Sequence, residues 1–135
     1  MKKLFAYGTL MCDDLMYEVS GCRPSKQAAT LTGFVRRKVS GEQYPAIKPD
    51  KTNRVVGVVY QNIPDQAWVR LDEFEGDMYS RQVVNIVTAE GENITAETYV
   101  INPSHLDCLS GQSWDFDEFM ATGKAIFEKQ YKGFY

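Results

Sequence analysis

Between Leu71 and Arg81 the stretch LDEFEGDMYSR sets four carboxylates, Asp72, Glu73, Glu75 and Asp77, around Phe74 and Gly76 before closing on Tyr79 and Arg81. An exposed glutamate, with a pKa of about 4.3, is too weak a base to take a proton from an amine near neutral pH. A carboxyl withdrawn from water is not, because desolvation penalises its charged form and raises its proton affinity. Glu75 is the acid that the spacing withdraws. Phe74 belongs to an apolar face, and Gly76 lets the chain fold back over the site. Asp72, Glu73 and Asp77 are assigned to solvent or to pairing with Arg70 and Arg81. A second candidate is Tyr7-Gly8-Thr9-Leu10. There a strand gives way to a glycine turn and then a helix, which can aim several backbone N–H groups at one anion such as a carboxylate. One glycine in four residues also marks an ordinary turn.

Other chemistries have no foothold. His105 is the sole histidine and sits in a polar loop, so neither a Ser-His-Asp nor a Cys-His arrangement is supported. There is no P-loop, no G-x-G-x-x-G and no H-E-x-x-H. Cys12, Cys22 and Cys108 are odd in number and far apart, which argues against a disulfide framework or a zinc site and fits a reducing cytoplasm. No metal and no cofactor is expected. The net charge of −3 offers no field for nucleic acid, and the one basic run, Arg36 to Lys38, reads as a solvated strand edge. The apolar run after Lys2 and Lys3 breaks at Gly8, too early for a signal-peptide core, and nothing approaches the ~20 apolar residues of a membrane helix. The expectation is a soluble, cytoplasmic protein with no membrane partner.

The elements that must position these residues are legible in outline. KLFAY suits a buried strand ending in the Gly8 turn, and residues 13–20 a short helix with Asp13 as N-cap and Gly21 as its stop. AATLTGFVRRKV, QYPAI and RVVGVVYQNI are rich in β-branched and aromatic residues, with Gly33 and Gly57 as bulge or bend positions. PDQAWVRLDEF switches to helical spacing through Ala67, Leu71 and Phe74, which leaves Glu75 at the helix end. YSRQVVNIVTA and ITAETYVI flank EGEN as an antiparallel pair. A last helix over SWDFDEFMATGKAIFEKQY should place Phe116, Phe119, Met120 and Phe127 on one face, with Asp115 and Glu118 as a capping box. With 135 residues and 44% hydrophobic content, the chain reads as one unit over residues 1–135. Its fold class is α+β: a small mixed β-barrel of about six or seven strands with flanking helices.

Taken in order, FAYGTL, YPAI, VVGVVY, LDEFEGDMYSR, AETYVI and WDFDEF span nearly the whole chain. As a set they resemble the γ-glutamylcyclotransferase-like superfamily, in particular its short branch with the plant avirulence-induced-gene proteins and γ-glutamylamine cyclotransferase. The resemblance implies a barrel with a cavity at one end, floored by the YGTL loop and holding one essential glutamate that maps onto Glu75. It implies a γ-glutamyl amide as substrate, with 5-oxoproline and a free amine or amino acid as products. Gly8, Thr9 and Leu10 would bind the substrate's α-carboxylate. Tyr7, Tyr44 and Tyr79 are pocket walls or hydroxyl donors, or else core tyrosines with satisfied hydroxyls. Val58 stands where many relatives carry a charge, and Ile101 where many carry an aromatic, which loosens the inference about the leaving group. A non-catalytic module of the same fold, binding a small carboxylate or a peptide tail, is the alternative.

Overall fold

The computed structural model describes residues 2–131. Five strands, β1 (Lys2–Ala6), β2 (Lys26–Lys38), β3 (Pro45–Ile63), β4 (Tyr79–Thr88) and β5 (Asn93–Ile101), close into a barrel in the order β1-β3-β2-β4-β5. Four of the pairings are antiparallel, and the barrel is sealed by a parallel contact of β1 with β5 at Leu4 and Glu97. The mixed barrel with flanking helices is the expected class, but with five strands where six or seven were expected. The difference lies in β3. The PAI of QYPAI and all of RVVGVVYQNI, separated in sequence by the polar KPDKTN, belong to one 19-residue strand. Asp50 holds that polar stretch together, its Oδ1 accepting from the Thr52 amide at 2.9 Å and its Oδ2 from Asn53 Nδ2 at 2.9 Å.

Opposite this stretch the ladder jumps from Thr32–Arg54 to Phe34–Pro49. The surplus residues, 50–53, are on β3, and Gly33, with φ at +91°, stands alone opposite them. Gly57 makes no bulge; it pairs regularly with Ala29. Its absent side chain serves a close approach instead, since a Cβ there would strike the Ala6 carbonyl oxygen and lie 3.0 Å from the Phe5 ring.

The period-2 alternation of the strands divides the core in two. One cluster draws Phe5, Leu31, Val59, Ile86 and Val100 from all five strands and is the barrel interior. The other sets Leu4, Ala6 and Tyr60 against α1 (Asp13–Ser20) and α2 (Asp65–Glu75) through Met16, Val19, Trp68 and Leu71. Cys12, not Asp13, occupies the N-cap of α1. Asp13 and Asp14 instead lie in the first turn, where their charge complements the exposed amides. Gly21, at φ +78°, ends α1, its N–H bonded to the Tyr17 carbonyl at 2.8 Å. Pro64 caps α2 at its start, and Gly76, at φ +70°, ends it just after Glu75.

The last helical segment begins with α3 (Phe116–Glu118), passes through a π-turn (Phe119–Gly123), and continues as α4 (Lys124–Tyr131). Asp115 Oδ2 accepts from the Glu118 amide at 2.9 Å, the Ncap half of the capping box. The π-turn inserts an extra residue and rotates the helix phase. Phe119 and Phe127 are therefore buried beside Trp114, while Met120, expected on the same face, is 40% exposed.

Candidate active site

Three element ends meet at one mouth of the barrel. β1 delivers the Tyr7–Leu10 loop, the β2–β3 turn delivers Tyr44 and Pro45, and the end of α2 delivers Glu75 next to the start of β4 at Tyr79. They enclose a cavity of about 170 Å³. All seven residues expected at a site, Tyr7, Gly8, Thr9, Leu10, Tyr44, Glu75 and Tyr79, border it. The remaining wall is largely apolar, built from Leu4, Phe5, Ala6, Pro45, Phe74, Met78 and Phe127, with Tyr99 beside them. Glu75 is the only carboxyl among the lining residues, and no Lys, Arg or His is among them.

That setting governs its chemistry. Burial, and after it the negative charge of Asp72 one turn earlier in α2, push the Glu75 carboxyl up from an ordinary 4.5 to about 8. The neighbouring acids divide as their exposure dictates. Glu73 and Asp77 are in solvent. Asp72 Oδ1 accepts from the Tyr99 hydroxyl at 2.7 Å and pairs with Arg81 Nε at 3.3 Å, and Arg81 reaches on to Glu97 at 3.5 Å. The negative charge beside Glu75 is thus held in place by two partners.

Two of the expected tyrosines are walls with committed protons. The Tyr7 hydroxyl donates to the Tyr99 carbonyl at 2.6 Å, and the Tyr79 hydroxyl donates to the Pro45 carbonyl at 2.9 Å. Burial, then the nearby Glu75, raise the Tyr7 phenol well above its usual range, so it stays protonated. Tyr44 meets the Phe127 ring edge-on at 6.4 Å between centroids, which ties α4 to the cavity rim.

The loop itself is shaped by Gly8, at φ −129° and ψ −138°. A Cβ on Gly8 would lie 2.9 Å from Pro45 Cδ and Cγ, so only glycine lets the loop pass this close to the β2–β3 turn. A 3₁₀ turn over Thr9–Met11 follows, and its first hydrogen bond runs from the Met11 N–H to the Gly8 carbonyl at 3.0 Å. The amides of Gly8, Thr9 and Leu10 precede that bond, which is where a helical turn leaves N–H groups for an outside acceptor.

Two contributors escaped the sequence reading. Tyr99 borders the cavity and couples Tyr7 to Asp72. Its place in AETYVI was visible, but strand alternation alone does not say that it faces a helix end. Arg36 is the other. It is not a solvated strand edge: Nη1 donates to the Tyr7 carbonyl at 2.8 Å and to the Val56 carbonyl at 3.0 Å. Nothing in the spacing of RRK separates it from Arg37. His105 lies in a 3₁₀ segment (Pro103–Cys108) outside the cavity lining. Cys12, Cys22 and Cys108 are free thiols, and among the described residues no three His, Cys, Asp or Glu side chains gather as a metal site. Nor is any described helix long and apolar enough to cross a membrane.

Residues 4–116, which contain every bordering residue but Phe127, match the model of the family described as gamma-glutamyl cyclotransferase, AIG2-like. The chain belongs to that family. AIG2-like protein C of Arabidopsis thaliana is 36% identical over 97% of this chain and 76% of its own length. A solution structure of another Arabidopsis thaliana protein superposes with a TM-score of 0.73 at 29% identity, covering 97% of this chain and 88% of that one. A solved gamma-glutamyl cyclotransferase superposes with a TM-score of 0.66 at 24% identity, covering 75% of this chain and 66% of that one, a likeness of fold. In this AIG2-like chain the family's barrel therefore carries a cavity with a single carboxyl in an apolar wall.

Proposed function

We propose that this protein is a γ-glutamyl cyclotransferase. Its substrate is a γ-glutamyl amide with free α-amine and α-carboxylate, and its products are 5-oxoproline and the released amine. The observation that carries this reading is Glu75, a lone carboxyl in an apolar cavity with its proton affinity raised to about 8, beside a loop of backbone amides. Family membership supports the same reading.

The chemistry follows from matching those two features to the substrate's head group. An α-amine with a pKa of about 7.7 to 8.0 is mostly protonated at pH 7 and cannot attack. Glu75, with a nearly equal pKa, takes one N–H proton at little cost. The freed lone pair attacks the γ-carbonyl carbon of the same molecule and closes a five-membered ring. As the old C–N bond breaks, the proton on Glu75 passes to the departing nitrogen, and the ring nitrogen gives up its surplus proton to the regenerated carboxylate, which hands it on to the freed amine or to solvent; one carboxyl thus serves as base and as acid. Nucleophile and electrophile already share a molecule, so the protein's main task is to hold the folded-back conformer. The amides of Gly8, Thr9 and Leu10 do this by seating the α-carboxylate, while Tyr7, Tyr44 and Tyr79 wall the ring and exclude water.

The cavity wall includes Phe74, Met78 and Phe127, with no cation among the lining residues. A second carboxylate close to the scissile bond has nothing there to pair with. γ-Glutamylamines should therefore be turned over faster than γ-glutamyl amino acids, and glutathione slowest. The test offers all three classes and quantifies 5-oxoproline against glutamate. 5-Oxoproline from the amines supports the reading. Glutamate instead would mean hydrolysis by an activated water. Binding of 5-oxoproline without turnover of any donor would mean a carboxylate-binding module.

A further inference from the structure

Behind the cavity loop a cation grips two backbone carbonyls. Arg36 Nη1 donates to the carbonyls of Tyr7 and Val56 at 2.8 Å and 3.0 Å, and its guanidinium lies 5.3 Å from the centre of the Trp114 ring. Trp114 is itself anchored, buried with its Nε1–H donating to the Gln43 carbonyl at 2.8 Å. Two carbonyls and a fixed ring thus hold the guanidinium, which does not border the cavity.

A trans peptide is planar, with its C=O and N–H pointing in opposite directions, and no cis bond occurs among the described residues. Fixing the Tyr7 oxygen on Arg36 therefore fixes the direction of the Gly8 N–H, away from the guanidinium. A cation on the acceptor end also polarises the peptide and makes that N–H a stronger donor. Gly8 borders the cavity in which Glu75 lies. We propose that Arg36 is a positioning residue, acting through the Tyr7–Gly8 peptide to aim and strengthen the Gly8 N–H for the substrate's α-carboxylate. This rests on the reading of the Tyr7–Leu10 loop as the carboxylate seat. It adds a residue that never touches the substrate.

A merely structural arginine, tying β2 to the end of β1, would affect all ligands alike. The test therefore compares two that differ only in charge. Binding of 5-oxoproline and of its carboxamide to the full chain is followed by amide chemical shifts of Gly8, Thr9 and Leu10 in the wild type, Arg36→Met and Arg36→Lys. The wild type should prefer the carboxylate. Arg36→Met should lose about tenfold of that preference, the scale of one charge-assisted hydrogen bond, with binding of the carboxamide little changed. Arg36→Lys, which keeps a cationic donor, should recover part of it. If Arg36→Met does not fold, Arg36→Lys alone still decides, because the lysine ammonium ends one bond short of the Nη1 position that makes both carbonyl contacts and must show a reduced preference. Equal weakening of both ligands, an unchanged preference, or no shift at the Gly8 amide in the wild type would each overturn the proposal. On γ-glutamyl donors, Arg36→Met should raise KM more than it lowers kcat. A wild type that yields no 5-oxoproline defeats the proposed function, while the binding comparison still judges Arg36.

Discussion

A glutamate with a pKa of about 8 imposes a recognisable pH dependence on everything it controls. In the proposed reaction the working form is the carboxylate, so kcat/KM should rise with pH along a limb centred near 8. Glu75→Gln should remove that limb together with at least about 10²-fold of kcat, the usual scale of general acid–base assistance. For stability the sign is reversed. The folded pKa lies above the unfolded value near 4.5, so the folded chain holds the proton more tightly, and its contribution is complete below pH 4.5 and lost as pH rises through 8. The melting temperature of the wild type should therefore fall relative to Glu75→Gln between pH 4.5 and 8, which thermal unfolding across that range would check. Asp72 supplies the second part of the shift. Asp72→Asn should move the kinetic limb to lower pH, because a negative charge next to Glu75 is removed. A limb that stays fixed or moves up would mean that the Asp72–Arg81 pair acts on Glu75 as a neutral unit.

At the scale of elements, the parts the sequence made legible were those whose signals are local. The α2 helix, its Gly76 stop and the β4–β5 pair follow from side-chain period and from glycine placed where φ is positive. Glu75 could be singled out because it stands where those two signals meet. What was not legible depended on partners far along the chain. KPDKTN is polar enough for a turn, yet β3 runs through it, with Asp50 bound to Thr52 and Asn53 where the β2 ladder is interrupted. Met120 has the spacing of a buried residue, yet the π-turn carries it outward. Arg36 has the look of a surface charge until β2 is laid beside β1 and the Tyr7 carbonyl comes within reach. Gly57 belongs with these, since its requirement comes from the Ala6 backbone across the β1–β3 ladder. Gly57→Ala should cost about 1–3 kcal/mol, the range for overpacking, because the obstacle is backbone and cannot swing aside. Denaturant unfolding measures this. The same change at Gly111, where an added Cβ meets nothing within 4 Å, is the matched control and should cost much less.

For the molecule as a whole, barrel closure is what brings together residues from positions 7, 44, 75 and 99. No local pattern announces that meeting, and the order β1-β3-β2-β4-β5, with its parallel seam, is a property of the closed sheet. The resemblance of six ordered motifs to known proteins named residues that border one cavity, and the fold supplies the physical reason that those motifs belong together. In the proposed reaction the carboxyl at this mouth lets a substrate's own amine cleave its own γ-amide. The most direct measurement pairs a γ-glutamylamine with its Nα-acetyl analogue and quantifies 5-oxoproline and released amine from each. Acetylation removes the attacking lone pair and leaves the cleaved bond untouched. The account predicts 5-oxoproline and amine in equal amounts from the free donor, and neither from the acetylated one. Release of amine from the acetylated donor at a comparable rate would contradict it, because intramolecular attack could not then be the route of cleavage.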